Sequence, residues 1–475
     1  MLKCYVKSVS KVFEGLMKYN FKSYNPNQLF LMPQSLDEWL PQNHLARLIS
    51  EAVDQMDLSG LFRAYRANGQ GSAAYHPAMM TKILLYAYCM GMPSSRKIAK
   101  ALVDDVAFRW LAAGNFPDFR TISEFRRRHL KALRHLFPQI LLLCKAAGLV
   151  KAGIIALDGT KVKGNARLSR NRTYEQLSQE EKLLKDKVEE LLSKAESIDI
   201  EEDSIYGDRQ GDELSDELDT TRKRLEKIRK AKKILEEKAK EEAEAKAKEL
   251  EARRKEEEET GRKRPGRHPK EPDASVRPDA RINMTDFDSR IQKNAKGYLQ
   301  GFNAQAVATE DQVIVACDVV NEANDYHQFQ PMLDQAQKNL SELESPAKTI
   351  LADAGYCSED NLTDLDSRED IEGLISTRKE REMRKVESTP SSSNRCSEKY
   401  MAMDKKLQTP VRKYVYRFRK RIIEPVFGQM KYCHGFSGFM LRGLEKVKCE
   451  FSLWCSAHNL LKLHSNSLKK AVITA

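Results

Sequence analysis

Apolar and polar positions change their period several times along this chain, and each change marks a different kind of element. Up to about residue 150 the spacing is helical. "HPAMMTKILLYAYCMG" carries apolar residues on more than one face, the pattern of a buried helix. In "MPSSRKIAKALVDDVAFRWLAAG", Ile98, Leu102, Val106 and Leu111 lie near helical spacing, with Ser94 or Ser95 placed to cap the start. "PDFRTISEFRRRHLKALRHLF" then offers Thr121 and Glu124 as a capping box before a basic helix with Arg126, Arg127, Arg128 and His129. Helix, turn, helix and basic helix is the make-up of a small DNA-binding bundle. It is equally that of a helical domain whose arginines are only solvated.

The period then shortens. "IIALDGTKVKGNA" reads as a short apolar strand delivering one acid, Asp158, into an Asp-Gly turn pair. Beyond it Leu177, Leu184, Val188, Leu191, Ala195 and Ile198 fall at steps of a heptad seam. An acidic, glycine-containing break, "DIEEDSIYGDRQGDE", separates them from a second seam of Leu214, Leu218, Leu225, Ile228, Leu235 and Ala239. Two such helices predict an inserted antiparallel hairpin or coiled coil, a solvated pair without chemistry of its own. "GRKRPGRHPKEPDASVRPDARIN" lacks apolar periodicity and reads as a mobile basic tether, whose Arg-Pro-Gly-Arg core also suits phosphates.

After the tether, "YLQGFNAQAVAT" and "QVIVACDVV" predict adjacent strands, and Asp325 is placed to cap the helix that follows. "AKTILADAGY" is a second apolar strand ending in a lone acid, Asp353, and "DIEGLIST" is one more strand. Without the hairpin and tether the order is three strands, helix, strand, helix, strand. The chain divides into a helical N-terminal DNA-binding domain at 1–150 and a first core strand at 151–172. The inserted hairpin at 173–260, the basic linker at 261–282, and the rest of the core with C-terminal helices at 283–475 complete it.

Length and charge sharpen this picture. At 475 residues the chain exceeds one ordinary core. A formal net charge of +12 calls for a polyanionic partner. No apolar run approaches a membrane span and "MLKCYVKSVSKVF" lacks a secretory core, so the expected partner is nucleic acid and not a membrane. The nine cysteines include no Cys-x-x-Cys pair, which fits free thiols in a reducing cytoplasm.

A third acid, Glu424, stands in "YRFRKRIIEPVFGQMKYC", just before Pro425. Arg417, Lys420, Glu424 and Lys431 share one helical stripe if the helix continues past the proline, with Ile423, Phe427 and Met430 toward a core. An ordinary ion pair would explain Glu424 alone. Three acids on two strand ends and a basic helix permit more. Cutting a phosphodiester is served by two Mg²⁺ ions about 3.5–4 Å apart, held by carboxylates from separate elements. Asp158 would bridge the ions, with Asp353 and Glu424 holding one each. Cations near the acids, including Lys161 and Lys163, would meet phosphates beside the cut.

"LDGTKVKGNA", "MTDFDSRIQKNAKGYLQGFNAQAV", "ILADAGY" and "RKRIIEPVFGQMK" together resemble the DDE transposases of bacterial insertion sequences. "YHPAMMTKILLYAYCMGMPSSRKIAKAL" and "PDFRTISEFRRRH" resemble the N-terminal domain of the same group, so the likeness runs from about residue 20 to 465. It implies a mixed α/β core of the ribonuclease-H type, with Asp158, Asp353 and Glu424 as catalytic and metal-holding acids. It further implies double-stranded DNA, transposon ends and target, as partner, Mg²⁺-dependent cutting at those ends, with Mn²⁺ as substitute, strand transfer through the freed 3′-OH, and at least a dimer on DNA. The DNA-binding set is Arg126, Arg127, Arg128, Lys161, Lys163, Arg417, Lys420 and Lys431. Two positions depart from the pattern. Many relatives carry Tyr-x2-Arg-x3-Glu-x6-Lys around the glutamate, where this chain reads Arg417, Lys420, Glu424 and Lys431; and Phe287 replaces a common proline.

Other residues take plainer roles. Asp286 and Asp288 suit local capping or pairing with Arg290, Asp318 an edge position, and Arg442 with Gly443 a helix start or a DNA contact. Cys455 and His458 suit core packing. A DNA-binding protein without catalysis, repressor-like, and a scaffold built on the hairpin are the competing functions.

Overall fold

The computed structural model describes residues 35–65, 73–151, 153–206, 216–260, 272–294, 297–377 and 398–474. The strands in chain order are β1 (Ile154–Lys163), β2 (Asn171–Thr173), β3 (Arg281–Asn283), β4 (Arg290–Asn294), β5 (Gly297–Thr309), β6 (Ile314–Val320), β7 (Thr349–Ala352) and β8 (Glu372–Ile375). The main sheet runs β4-β5-β1-β7-β8, with β6 also on β5; β2 and β3 form a separate ribbon. Pairing is antiparallel among β4, β5, β6 and β1, and parallel from β1 through β7 to β8. The expected order of strands and helices is present in the main sheet with one unforeseen strand, β4, added ahead of β5: the Phe329–Glu342 helix joins β6 to β7, and the Glu359–Ser367 helix joins β7 to β8.

The expected Asp-Gly turn is absent. β1 runs straight through Asp158 and Gly159, pairing with β5 from Ile155↔Thr309 to Lys163↔Gly301. A full-length antiparallel neighbour satisfies the backbone groups that a turn would have left open. What stops near Asp158 is the parallel partner, since β7 pairs only with Ile154 to Ala156.

Residues Asn43–Ala475 form one compact unit, distinct from Met1–Gln42. Within the larger unit the Leu444–Thr474 helix is the common support. Tyr88 of the Pro77–Cys89 helix meets its Trp454 edge-on, with ring centroids 5.1 Å apart. Asn459 exchanges bonds of 2.9 and 2.8 Å with the backbone of Ile314, fastening β6 to the same helix. His458 is buried with Nε2 2.9 Å from the Gln312 carbonyl, as core packing requires.

The predicted capping box gives way to a better cap. Asp118 accepts the Thr121 N–H at 2.7 Å and starts the helix at Phe119, which leaves Glu124 to pair with Arg127 and Arg128. Ser94 holds the cap position of its helix without a side-chain bond.

Where the hairpin was expected, the chain forms two helices, Tyr174–Tyr206 and Asp216–Thr260. Arg224 pairs with Glu180, Lys232 with Glu181 at 2.8 Å and Lys187 with Glu217 at 2.6 Å, so the helices run antiparallel. Of the seam residues, Leu177, Leu218, Leu225, Ile228 and Leu235 are buried. The first helix continues through the predicted acidic break as far as Tyr206; Leu214 and the side chains of Ala195 and Ile198 lie outside the described residues. The expected tether also shortens. Residues 261–271 lie outside the described part, while Val276, Ala280 and Ile282 pack under the hairpin and β3 pairs with β2.

β1 and β5 approach so closely at Gly301 that a Cβ there would lie 2.0 Å from the Val162 carbonyl oxygen. Gly301→Ala should therefore cost about 2 kcal/mol in urea denaturation. Gly428→Ala, in open helical surroundings, should stay level or gain about 1 kcal/mol.

Candidate active site

The β1–β7 register places two acids side by side. Ala156 pairs with Leu351, so two residues further along each strand stand Asp158 and Asp353. Asp158 Oδ1 accepts its neighbour's N–H, Gly159, at 2.8 Å. Asp353 leaves β7, caps the turn Ala354–Tyr356 and accepts the Gly355 N–H at 2.9 Å. Burial, then the neighbouring Asp353 carboxylate, pushes the Asp158 pKa up to about 7, against the pull of Arg419 and the Gly159 N–H. Burial also raises Asp353, with Asp325 adding to it and Gly355, Arg419 and Lys161 opposing.

Glu424 comes from the Phe418–Gly428 helix, which lies against β1 and β5. Pro425 does not end this helix. It removes the donor that would have served the Arg421 carbonyl, and Gln312 Nε2 donates to that oxygen at 3.0 Å instead. The helix passes into a π turn, Gln429–Cys433, a distortion often found at functional sites. The predicted straight stripe is thus divided. Arg417 sits at the junction with the preceding helix, Pro410–Tyr416, and is exposed, as is Lys420. Lys431, on the π turn, donates to Thr160 Oγ1 of β1. Burial lowers the Lys431 pKa, with the Asp158 carboxylate opposing.

A cation stands among the acids. The buried Arg419 guanidinium lies 3.8 Å from Asp158 Oδ2 and 3.6 Å from Glu424 Oε1. Tyr416 donates to the Ala352 carbonyl at 3.1 Å, one residue before Asp353. Tyr416 and Arg419 restore the Tyr-x2-Arg pair that had seemed replaced by Arg417 and Lys420. It is present, one residue further from Glu424 than the pattern has it. A fixed-spacing reading missed both; allowing one inserted residue finds them. Among the described residues no group of three acids, histidines or cysteines is already arranged to hold a metal ion.

The other predicted cations divide between surface and interior. Arg126 is only 4% exposed and donates to the Pro93 carbonyl and Ser95 Oγ, both at 2.6 Å, and to Tyr88 Oη at 3.2 Å. Its guanidinium is consumed inside the fold and does not reach DNA. Arg127 and Arg128 are exposed beside Glu124. Lys161 is held at 3.2 Å by Asp325 and at 2.7 Å by the Ala323 carbonyl, while Lys163 is exposed. Asp325 itself, expected to cap a helix, makes no cap bond. Asp286 and Asp288 cap at long range, accepting the N–H groups of Gly443 at 3.2 Å and Leu444 at 2.9 Å. Asp318 pairs with Lys448 at 2.9 Å, and Arg442 donates to the Asn165 carbonyl at 3.0 Å.

Two family models match the chain. Residues 34–128 match a "Transposase domain (DUF772)", and residues 366–464 match a "Transposase DDE domain". Both matches support a DDE transposase of an insertion element. DNA is therefore its partner by family, and a DNA-processing activity its class. Of the three acids, Glu424 falls within the matched residues. No curated protein and no solved structure matches the chain. Among the described residues no helix is long and apolar enough to cross a membrane.

Two measurements follow from the placements. Arg126→Ala should lower stability by about 2 kcal/mol or more through the three acceptors it abandons, while Arg127→Ala stays near neutral; thermal denaturation compares them. The second concerns Asp158. A carboxyl whose folded pKa exceeds its unfolded value supports the fold while protonated, and that support is lost as pH rises toward about 7. Metal-free Asp158→Asn should therefore be more stable than the unaltered protein by a few kcal/mol at pH 8, the gain shrinking toward pH 4.

Proposed function

We propose that this transposase binds the ends of its element and cleaves and joins DNA with Asp158, Asp353 and Glu424. The observation that carries the reading is the parallel register that seats Asp158 beside Asp353, with the Glu424 helix laid across the same strand. A mixed six-stranded sheet, antiparallel among β4, β5, β6 and β1 and parallel from β1 through β7 to β8, fits a ribonuclease-H-like core. The hairpin is an insertion between its first and second strands, and the N-terminal helices carry part of the DNA-binding surface.

The donor set fits divalent cations. Two hard carboxylates stand together, partly buried, with proton affinities raised by burial and, at Asp158, by the Asp353 charge. Asp158 and Asp353 would hold Mg²⁺ or Mn²⁺, with Glu424 joining from its helix. Such ions supply an activated water or 3′-OH and stabilise the leaving oxygen. Arg419, now between Asp158 and Glu424, must shift for the three acids to act together. Its charge keeps them from repelling one another until then. Lys431, anchored on Thr160 beside Asp158, is placed to meet a phosphate at the cut, and exposed Lys163, Arg417, Lys420, Arg127 and Arg128 extend the basic surface. The active form is a dimer or larger assembly on two ends, in the bacterial cytoplasm.

Asp158→Ala, Asp353→Ala and Glu424→Ala should each lower Mg²⁺-dependent cleavage of end-containing DNA by about 10³-fold or more, with gel-shift binding retained. A variant that cuts at the unaltered rate removes that residue from the site. Absence of any Mg²⁺-dependent nicking by the intact protein would leave a DNA-binding protein without catalysis.

A further inference from the structure

Asp325 has no part in the three-acid reading, yet the strand ends are shaped around it. It precedes the short turn Tyr326–Gln328 and caps nothing there. Its Oδ1 accepts from Asn303 Nδ2 at 2.6 Å, Gln305 Nε2 at 2.9 Å and Lys161 Nζ at 3.2 Å. Asn303 and Gln305 are fully buried. Gln305 pairs across the sheet with Gly159 and Asn303 with Lys161, so these groups share one face. Asp158 points to the other face. Tyr356 completes the network by donating to Gln305 Oε1.

Two glycines border this carboxylate. A Cβ on Gly159 would lie 3.0 Å from Asp325 Oδ1 and 2.5 Å from Gln305 Nε2, and one on Gly355 would lie 3.5 Å from Asp325 Oδ2. Each glycine sits just after one of the paired acids, and each donates its N–H to that acid. The Asp-Gly sequence thus serves a close approach from behind, inside β1, while Gly355 stands at ordinary contact distance from the same carboxylate.

We propose that Asp325 is a positioning residue for the carboxylate pair: a fixed negative charge lodged behind Asp158 and Asp353 that strengthens their hold on a divalent cation without touching it. Three donors on one oxygen, the Lys161 ammonium among them, fix the Asp325 carboxyl in place. It lies close to both acids: a Cβ on Gly355 would lie 3.1 Å from Asp353 Oδ1 and 3.5 Å from Asp325 Oδ2, Gly159 beside Asp158 meets Asp325 Oδ1, and Lys161 pairs with Asp325 at 3.2 Å. Lys161 therefore acts as the counter-charge that moderates Asp325. Partners behind metal ligands commonly change metal affinity 10- to 100-fold when removed.

This inference rests on the metal reading above and has its own test. Mn²⁺ binding to the full-length, DNA-free protein is measured by electron paramagnetic resonance of the unbound ion. Asp325→Asn should weaken binding about 10-fold, and Lys161→Met should tighten it several-fold. A merely structural network would be damaged by both substitutions alike, so opposite directions identify the charge effect. Shifts in the same direction, or Asp325→Asn binding as tightly as the unaltered protein, overturn the proposal. Should Asp325→Asn fail to fold, Lys161→Met decides: tighter binding supports the inference, and equal or weaker binding overturns it. Asp158→Asn separates the two levels. If it also leaves Mn²⁺ binding unchanged, the metal reading fails; if it abolishes binding while Asp325→Asn does not weaken it, the role of Asp325 alone fails.

Discussion

Two like charges held together at the end of a parallel strand pair are the constraint around which the rest is arranged. β1 and β7 bring Asp158 and Asp353 into register, and burial makes their shared charge expensive. Each nearby cation answers that repulsion. Arg419 reaches Asp158 and Glu424, Lys431 stands on Thr160, and Lys161 faces Asp325. The surrounding apolar residues, including Ile155, Leu157, Ile350 and Leu351, are almost wholly buried. Their packing keeps the two strand ends from separating to relieve the charge.

The strand pattern was readable because buried parallel strands need continuous apolar runs, and "IIAL" and "TILA" supply them. That both runs end at an acid was visible too. What was hidden depended on partners distant in sequence. The Asp-Gly pair at residue 158 has turn chemistry, but β5, some 140 residues later, turns it into strand. Arg126 looks like a DNA contact within its basic triplet, and only the fold supplies Tyr88, Pro93 and Ser95 to enclose it.

Asp325 and Arg419 show a second limit. A local reading gives an acid before a helix its commonest task, the cap, and Asp325 follows three long-range donors instead. Counted back from Glu424, Arg419 stands one residue further than the family spacing places its arginine. The distortion in that helix, proline at 425 and a π turn from Gln429, is where such counting fails.

The same proline has a mechanical effect. A helix lying on a sheet can in principle creep along its axis by one turn, about 5.4 Å, and find similar apolar contacts. Here Pro425 opens a single carbonyl, Arg421, and Gln312 occupies it. Gln312 Oε1 also accepts from Lys462 at 2.7 Å and Gln429 at 3.2 Å, so one side chain at the β5–β6 connection pins three segments. The gap in the ladder works as a keyhole. It admits one partner at one height, and so fixes how far along β1 the glutamate-bearing helix is seated.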